Sequence, residues 1–420
     1  MNRTTAELTA TVNEKSRVYV VGIILILGSL SAFGPLSIDM YLPALPNLSE
    51  DLQASTSMTQ LSLTACLMGM ALGQIFAGPV SDVRGRRGPL LIGLAIYAVS
   101  SLLCAFIHSI EFFIVMRFIQ GLAGSVGIVI SRAAVRDLYS GPELTRFFSF
   151  LMLVNGVAPI VAPILGGQIL QFTAWRGVFL VLAAIGLVML FAVFFGLQET
   201  LPAERRSRGG LVNTMKTFRN LITNKAFMGY ALSQGFSFAA MFAYISGSPF
   251  VLQNIFGVSP QMFSVFFAIN GLGIVFTGQI TGRLAGRVPE KKLLVIGLIL
   301  AFSGGVSLLA MIVAGGSLIA ILVSLFFVVS SVGMIGTSSF SLAMQDQAKS
   351  AGSASALIGL VSFILGGIMA PLVGLAGKDS ALPMGIVIVA AEAAAVLSYW
   401  LLVKSDVPDK NVAKRPCAVK

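Results

Sequence analysis

The chain has 420 residues, of which 56% are hydrophobic and only 11% are charged. Soluble domains carry roughly 25% charged residues, so this composition excludes a water-solvated globule and makes lipid the main solvent. The net charge of +11 raises nucleic acid as a partner, but the basic residues sit in loops between apolar runs, which argues against it. Three scattered cysteines (Cys66, Cys104, Cys417) and one histidine, His108, give neither a disulfide framework nor a three-histidine metal site. No metal or cofactor is expected.

In chain order, residues 1–17 read as a polar cytoplasmic tail. The apolar run from Val18 follows Lys15 and Arg17, as a secretory signal would. It continues through Asp39-Met40-Tyr41-Leu42-Pro43 without a small-residue cleavage site, so it reads as a retained first helix. Runs of about 20 apolar residues, the length of a bilayer-spanning helix, recur at 18–41, 58–80, 88–107, 112–136, 146–170, 177–198, 226–252, 262–283, 292–313, 317–343, 352–376 and 382–403. These lengths, without strict alternation, predict twelve helices rather than barrel strands.

Of the 28 lysines and arginines, 25 fall in segments that share one side; Arg117, Arg176 and Lys378 are the exceptions. Positive charge stays cytoplasmic, which puts both termini inside. The loop 199–225, with Arg205, Arg206, Arg208, Lys216 and Arg219, divides the spans into halves 18–198 and 226–403, followed by a second cytoplasmic tail, 404–420. Gly73-Gln74-Ile75 in the first half is echoed by Gly278-Gln279-Ile280 in the second. The expected fold is an all-α membrane protein of two pseudo-symmetric six-helix bundles, related by an axis along the membrane normal.

Several side chains stand out against this apolar background. Gly78, Asp82, Gly85, Arg86 and Arg87 fall in what reads as a very short connection between spans two and three, where glycine permits a tight turn. Asp39 lies near the outer end of span one, before Tyr41, Pro43 and Pro46. An acid in a span is costly and marks function by default; the alternative is an interfacial cap. Arg117 lies well inside span four and needs a polar cavity or an acid, unless it snorkels to the outer surface. Asp137 ends span four beside Arg132 and Arg136, and Glu392 sits mid-span in helix twelve, where a structural hydrogen bond is the simpler reading. In span five, Pro159 and Pro163 share a helical face and Gly166-Gly167 permits close contact. Spans seven and eight carry Phe236, Phe238, Phe242, Tyr244, Phe266 and Asn270 among serines and glutamines. Such a surface suits an amphipathic organic ligand, although phenylalanine facing lipid is ordinary. No nucleophile–base pairing or GxxxxGK[ST] loop points to an enzyme or to nucleotide-driven transport.

The run Gly78–Arg87 resembles the loop signature of the major facilitator superfamily, G-x-x-x-D-x-x-G-R-[RK]. Arg117, Gln120 and Gly121 are similar to its helix-four motif R-x-x-Q-G, and Pro163–Gly167 partly matches the antiporter motif, with Ala162 in place of a glycine. The runs Pro35–Pro46 and Gly235–Phe242 narrow the resemblance to the bicyclomycin-resistance (Bcr/CflA) branch of drug:proton antiporters. The resemblance implies a monomeric multidrug efflux transporter of the bacterial inner membrane, driven by the proton gradient. Asp39 and Arg117 would couple protons, and Tyr41, Gln120 and the aromatic residues of spans seven and eight would line the drug cavity. Gly78, Asp82, Gly85, Arg86, Arg87 and Asp137 would form a conformational latch, with Asp82 facing the start of helix eleven near 350–355. Proton-coupled symport, or export, of a small metabolite is the alternative.

Overall fold

The computed structural model describes residues 22–139, 141–206, 219–345, 347 and 351–403. The two expected tails, and 207–218 of the expected linker, lie outside the described residues. Among the described residues the chain is helical, with a single isolated bridge, Ala285 to Val288, and no strand. Helix α1 comprises Gly22–Ser31 and Phe33–Asp51, bent by 41°. The first half continues with α2 (Thr56–Arg84), α3 (Arg87–Phe106), α4 (Ile110–Leu138), α5 (Gly141–Ile169) and α6 (Trp175–Gly196). The second half comprises α7 (Lys225–Phe250, continued by a π turn Val251–Ile255), α8 (Pro260–Leu284), α9 (Glu290–Val313), α10 (Leu318–Met344), α11 (Ala351–Leu372) and α12 (Leu382–Leu402). Ten helices are each long and apolar enough to cross a bilayer, and eleven with α1 counted as one bent span. The remaining one, α5, has a shorter apolar stretch, Leu153–Ile169.

The segment 78–88, read from sequence as a connection, is mostly helix. Helix α2 runs to Arg84 and α3 begins at Arg87, so Gly78, Pro79 and Asp82 lie on the last turns of α2. Helical turns keep every possible backbone group paired as the chain leaves lipid. Only Gly85 and Arg86 make the turn, and Gly85 takes φ +90°, a conformation that costs other residues energy. Gly286 takes φ +83° at the matching place in the second half.

The halves repeat one another in their helix starts. Ser55 caps α2 by accepting from the Met58 amide, and Ser259 caps α8 from the Met262 amide. Ser109 and Ser317 do the same for α4 and α10, through Phe112 and Ala320. Each hydroxyl satisfies one amide that the first turn cannot pair internally. The pairs α2–α4 and α8–α10 also pack alike: Gly121 lies directly against the Cys66 backbone and Gly333 against the Ile274 carbonyl, leaving no room for a side chain.

The apolar packing divides unevenly between the two membrane faces. The basic face is the one carrying Arg84–Arg87 and the 197–206 segment. On the opposite face one continuous core joins both halves, from Met40, Tyr41 and Phe113 to Tyr244, Phe263 and Val329. Towards the basic face each half has its own core. One is built on Leu27, Leu94, Tyr97 and Leu151, the other on Tyr230, Leu298, Ile335 and Ile358. Large apolar side chains such as Phe76, Phe195, Phe276 and Trp400 stay exposed around the rim, as lipid contact requires.

Candidate functional site

The site grows from the break in α1. The α-helix stops at Asp39, and a 3-10 turn, Leu42–Ala44, separates it from Leu45–Asp51. Pro43 and Pro46 cannot donate backbone hydrogen bonds, so the helix cannot run straight through them. A break inside a membrane protein frees carbonyls that must find donors. One donor is Arg117 of α4, whose Nη2 lies 2.7 Å from the Ser37 carbonyl. Its Nη1 donates to Gln120 Oε1, and Gln120 Nε2 donates to Ser101 Oγ at 2.7 Å. The guanidinium also lies 4.4 Å from the Tyr41 ring centroid and 5.5 Å from that of Phe179.

Arg117 is therefore fully buried rather than snorkelling. Among the described residues no acid pairs with it, and its Nε has no hydrogen-bond partner. Carbonyl, amide and ring faces hold the cation in place of a carboxylate. The expected alternatives for Arg117 were a cavity or an acid; the structure supplies the bend of α1 instead.

Asp39 is 6% exposed, at the junction between the helical part of α1 and the break. Neighbouring Ser37 is tied down twice, by Oγ to the Phe33 carbonyl at 2.6 Å and by a 2.8 Å hydroxyl pair with Tyr97. The Tyr41 hydroxyl pairs with Ser62 at 3.1 Å. By contrast, among the described residues no hydrogen bond or ion pair reaches the Asp39 carboxylate. Asp39 and Arg117 are brought to the same bend without touching.

The two halves are tied together on the face opposite the basic one. Helix α2 meets the α11 segment through Ser57 Oγ to the Pro371 carbonyl (3.1 Å) and Thr64 Oγ1 to the Gly367 carbonyl (2.9 Å). Gln60 Nε2 reaches the Ser246 carbonyl of α7 at 3.0 Å. Helix α5 meets α8 through Ser264 Oγ to the Pro163 carbonyl (2.8 Å) and Gln261 Nε2 to the Gly167 carbonyl (3.0 Å). Gly166 lies directly against the Met40 carbonyl, so α5 packs onto the break of α1 only because that residue has no side chain. The motif Pro159, Pro163, Gly166, Gly167 thus sits where α1, α5 and α8 converge. Gln253 and Lys378 add bonds to Pro43 and Glu50.

On the basic face the structure brings Asp82, Arg86 and Asp137 together. Arg86 Nη1 lies 2.6 Å from Asp82 Oδ1, and Arg86 Nε lies 2.9 Å from Asp137 Oδ2. Arg87 instead donates to the Phe194 carbonyl at 2.6 Å. The pairing of Asp82 with the start of α11 falls on residues of which 350 lies outside the described ones. Sequence reasoning missed Glu199. Its Oε1 accepts from the Arg86 amide at 2.7 Å and the Leu201 amide at 3.0 Å, and its Oε2 from the Arg87 amide at 3.2 Å. It caps the start of α3 from the end of α6. Partial burial works against its charge, but the three amides outweigh that and hold its carboxyl below the ordinary glutamate range. The signal available was an acid opening a linker whose only other acid is Glu204 among its basic residues.

The aromatic residues separate into groups. Asn270 Nδ2 donates to the Tyr244 hydroxyl at 2.8 Å, and Tyr244 stacks on Phe267 with centroids 5.6 Å apart. Phe238 and Phe242 lie 6.0 Å apart and, with Phe266, belong to the shared core. Tyr41 belongs to that core from the first half, and Gln120 is buried beside it through Arg117. Phe236 packs instead in the second half's own core. Gln234, Gly336, Thr337, Phe340, Ser341, Met344 and Gln345 line an open cavity of about 720 Å³ towards the basic face.

Two six-helix halves joined by one shared core, with a buried arginine and a buried acid at the break of α1, have the architecture of a membrane transporter. The profile of the Major Facilitator Superfamily matches residues 20–371. The chain is 46% identical over 384 residues to the uncharacterized MFS-type transporter YdgK of Bacillus subtilis, covering 91% of this chain and 95% of that protein. It is 33% identical over 388 residues to a bicyclomycin resistance protein homolog of Haemophilus influenzae, covering 92% and 98%. The xylose transporter XylE of E. coli, solved in a partially occluded inward-open conformation, superposes with a TM-score of 0.70 at 15% identity, over 92% of this chain and 98% of that one. The chain belongs to the major facilitator superfamily, in its bicyclomycin-resistance (Bcr/CflA) branch. It is a multi-pass membrane transporter of small molecules rather than an enzyme.

Proposed function

We propose that the chain exports amphipathic organic compounds, antibiotics among them, across the bacterial inner membrane in exchange for protons. The observation that carries this reading is the Asp39 carboxyl, buried without a partner at the break of α1, inside the core that both halves share. A lone charge there costs several kcal/mol, and a proton removes that cost. Rocking the halves apart on that face would give the carboxyl water and let it ionise. Proton binding is thereby linked to which face is open, the requirement for antiport by alternating access.

In this reading the basic face is cytoplasmic, with both termini inside, and the transporter works as a monomer without cofactor. Arg117 acts by holding the α1 bend through the Ser37 carbonyl, which fixes where Asp39 sits. Tyr41, Phe238, Phe242, Tyr244, Phe266 and Asn270 supply ring faces and a few hydrogen bonds for the drug. Asp82, Arg86 and Asp137 latch the basic face when it closes. The relative in Haemophilus influenzae supports an antibiotic as substrate through its name alone.

The test uses inside-out vesicles with an acidic interior and ethidium, a lipophilic cation, as probe, alongside a drug panel in cells. The wild type should load the vesicles when the gradient is imposed, and Asp39→Asn should not, while still reaching the membrane folded. Full gradient-driven loading by Asp39→Asn rules out the role of Asp39. Loading only when the gradient is reversed means uptake of a metabolite-like solute by symport.

A further inference from the structure

Glu392 is the only charged residue of α12, ten residues from either end of the 21-residue helix Leu382–Leu402. That places it about 15 Å from each end at 1.5 Å per residue, level with the bilayer midplane. It is fully buried. The Ser237 hydroxyl of α7 donates to its Oε1 at 3.4 Å, and its Oε2 has no partner. Formal charges on the helices packed around it lie only at their basic-face ends: Lys225 on α7, and Glu290, Lys291 and Lys292 on α9, with none on the described α11. Tyr230 and Tyr244 on α7 and Tyr399 on α12 are the other titratable groups of these elements. A permanent carboxylate here would be an uncompensated charge at the costliest depth, and an acid kept only for packing would be better replaced by an apolar residue.

The polar atoms around Glu392 run towards water. On α7, Ser237 lies angularly between Ser233 and Gln234, at i+4 and i+3. Ser233 donates to the Ala395 carbonyl at 3.1 Å, one turn from Glu392 on α12. Gln234 lines the open cavity on the basic face, and its buried Oε1 also lacks a partner. Ser237 thus lies between the Glu392 carboxyl at mid-membrane, to which it donates, and Gln234, which lines the cavity one turn nearer the basic face.

We infer that Glu392 is a second proton-binding site, loaded and emptied from the basic-face cavity past Gln234 and Ser237. On emptying, the carboxylic acid gives its proton to cavity water, leaving a carboxylate held by the Ser237 hydroxyl; on loading the proton returns from water. The site's part in transport rests on the proton-exchange reading above, but its existence does not.

Infrared difference spectroscopy on the purified full chain at neutral pH decides it without any substrate. Subtracting Glu392→Gln from wild type should isolate a protonated carboxylic C=O band that persists in Asp39→Asn. Transfer to D2O should shift that band within minutes, and in Ser237→Ala the shift should be several-fold slower. If subtraction reveals no such band, Glu392 is not a protonated acid and the inference fails. If the band is present but does not shift in D2O over hours, it is a sealed structural acid and the inference fails equally. If the shift is as fast in Ser237→Ala as in wild type, the route through Ser237 is wrong. None of these results bears on whether Asp39 drives export, which the vesicle assay decides separately.

Discussion

Gly374→Ala tests whether the seam between α2 and the end of α11 holds the halves together on the face opposite the basic one. A Cβ on Gly374 would lie 2.7 Å from the Ser57 amide nitrogen, 2.8 Å from its Cα and 2.5 Å from Gln60 Oε1. Ordinary Cβ contacts begin at 3.4 Å, so the backbones must part by 3.4 − 2.7 = 0.7 Å. Two cross-seam bonds lie beside this point: Ser57 to Pro371 at 3.1 Å and Gln60 to Ser246 at 3.0 Å. The same 0.7 Å would stretch them to 3.8 and 3.7 Å, beyond hydrogen-bond range. Two such bonds at about 0.5–1.5 kcal/mol each come to about 1–3 kcal/mol, a shift of roughly 5- to 150-fold towards opening that face. Spin labels at Gln53 and Lys378, both exposed on that face, read the separation by pulsed electron resonance in a background without the native cysteines. The longer-distance population should grow in Gly374→Ala but not in Gly359→Ala, where a methyl meets nothing within 4 Å. An unchanged distance distribution in Gly374→Ala would show that this seam does not control the closed state.

At Arg117, the order of thermal stability in detergent should be wild type, then Arg117→Met, then Arg117→Lys. Methionine leaves the Ser37 carbonyl and Gln120 Oε1 without their donor, at about 1–3 kcal/mol; lysine keeps a charge but loses the planar fork and ring contacts, at about 3–5 kcal/mol. Lysine matching wild type would contradict the planar-fork account. For Glu199, the folded carboxyl lies below its ordinary value, so its contribution to stability is complete above the unfolded glutamate pKa of about 4.3. That contribution fades as pH falls through the folded value. Unfolding midpoints measured from pH 6 downward should therefore fall less steeply in Glu199→Gln than in wild type, and equal slopes would exclude it as the cap of α3.

The helical class and two-half organisation were legible because lipid imposes a simple rule on length and apolarity. The halves show in spacing alone, since Gly73 and Gly278 open equivalent runs. The trio Asp82, Arg86 and Asp137 was legible because its members sit at short helix ends with few geometries open to them. Glu199 was not, since its partners are backbone amides, which every sequence has. The setting of Arg117 was only half legible. The sequence demands that a buried cation be satisfied, but the satisfying groups are the Ser37 carbonyl, left free where the α1 helix stops at Asp39, and two rings from α1 and α6. The separation of Phe236 from Phe238 was hidden as well. Residues two apart on a helix point about 200° away from each other, so one turned to the shared core and the other to the core of its own half.

In the proposed exchange, that unequal division of the apolar core is what would give Asp39 its leverage. A proton carrier must feel a different environment in the two facing states, or its ionisation cannot bias them. A carboxyl inside one half's private core would move with that half and keep its surroundings. Asp39 instead lies where α1 breaks, next to Met40, whose carbonyl bears directly on Gly166 of α5, and α5 is bonded through Pro163 and Gly167 to α8 of the other half. Parting the halves on that face must break those bonds and lift α5 and α8 from each other, within a few residues of the acid. The same break lets α1 bend there without unravelling, because its free Ser37 carbonyl already belongs to Arg117 of α4. Arginine is the residue that can do this in either state, since it stays charged and keeps donating whether or not Asp39 carries its proton.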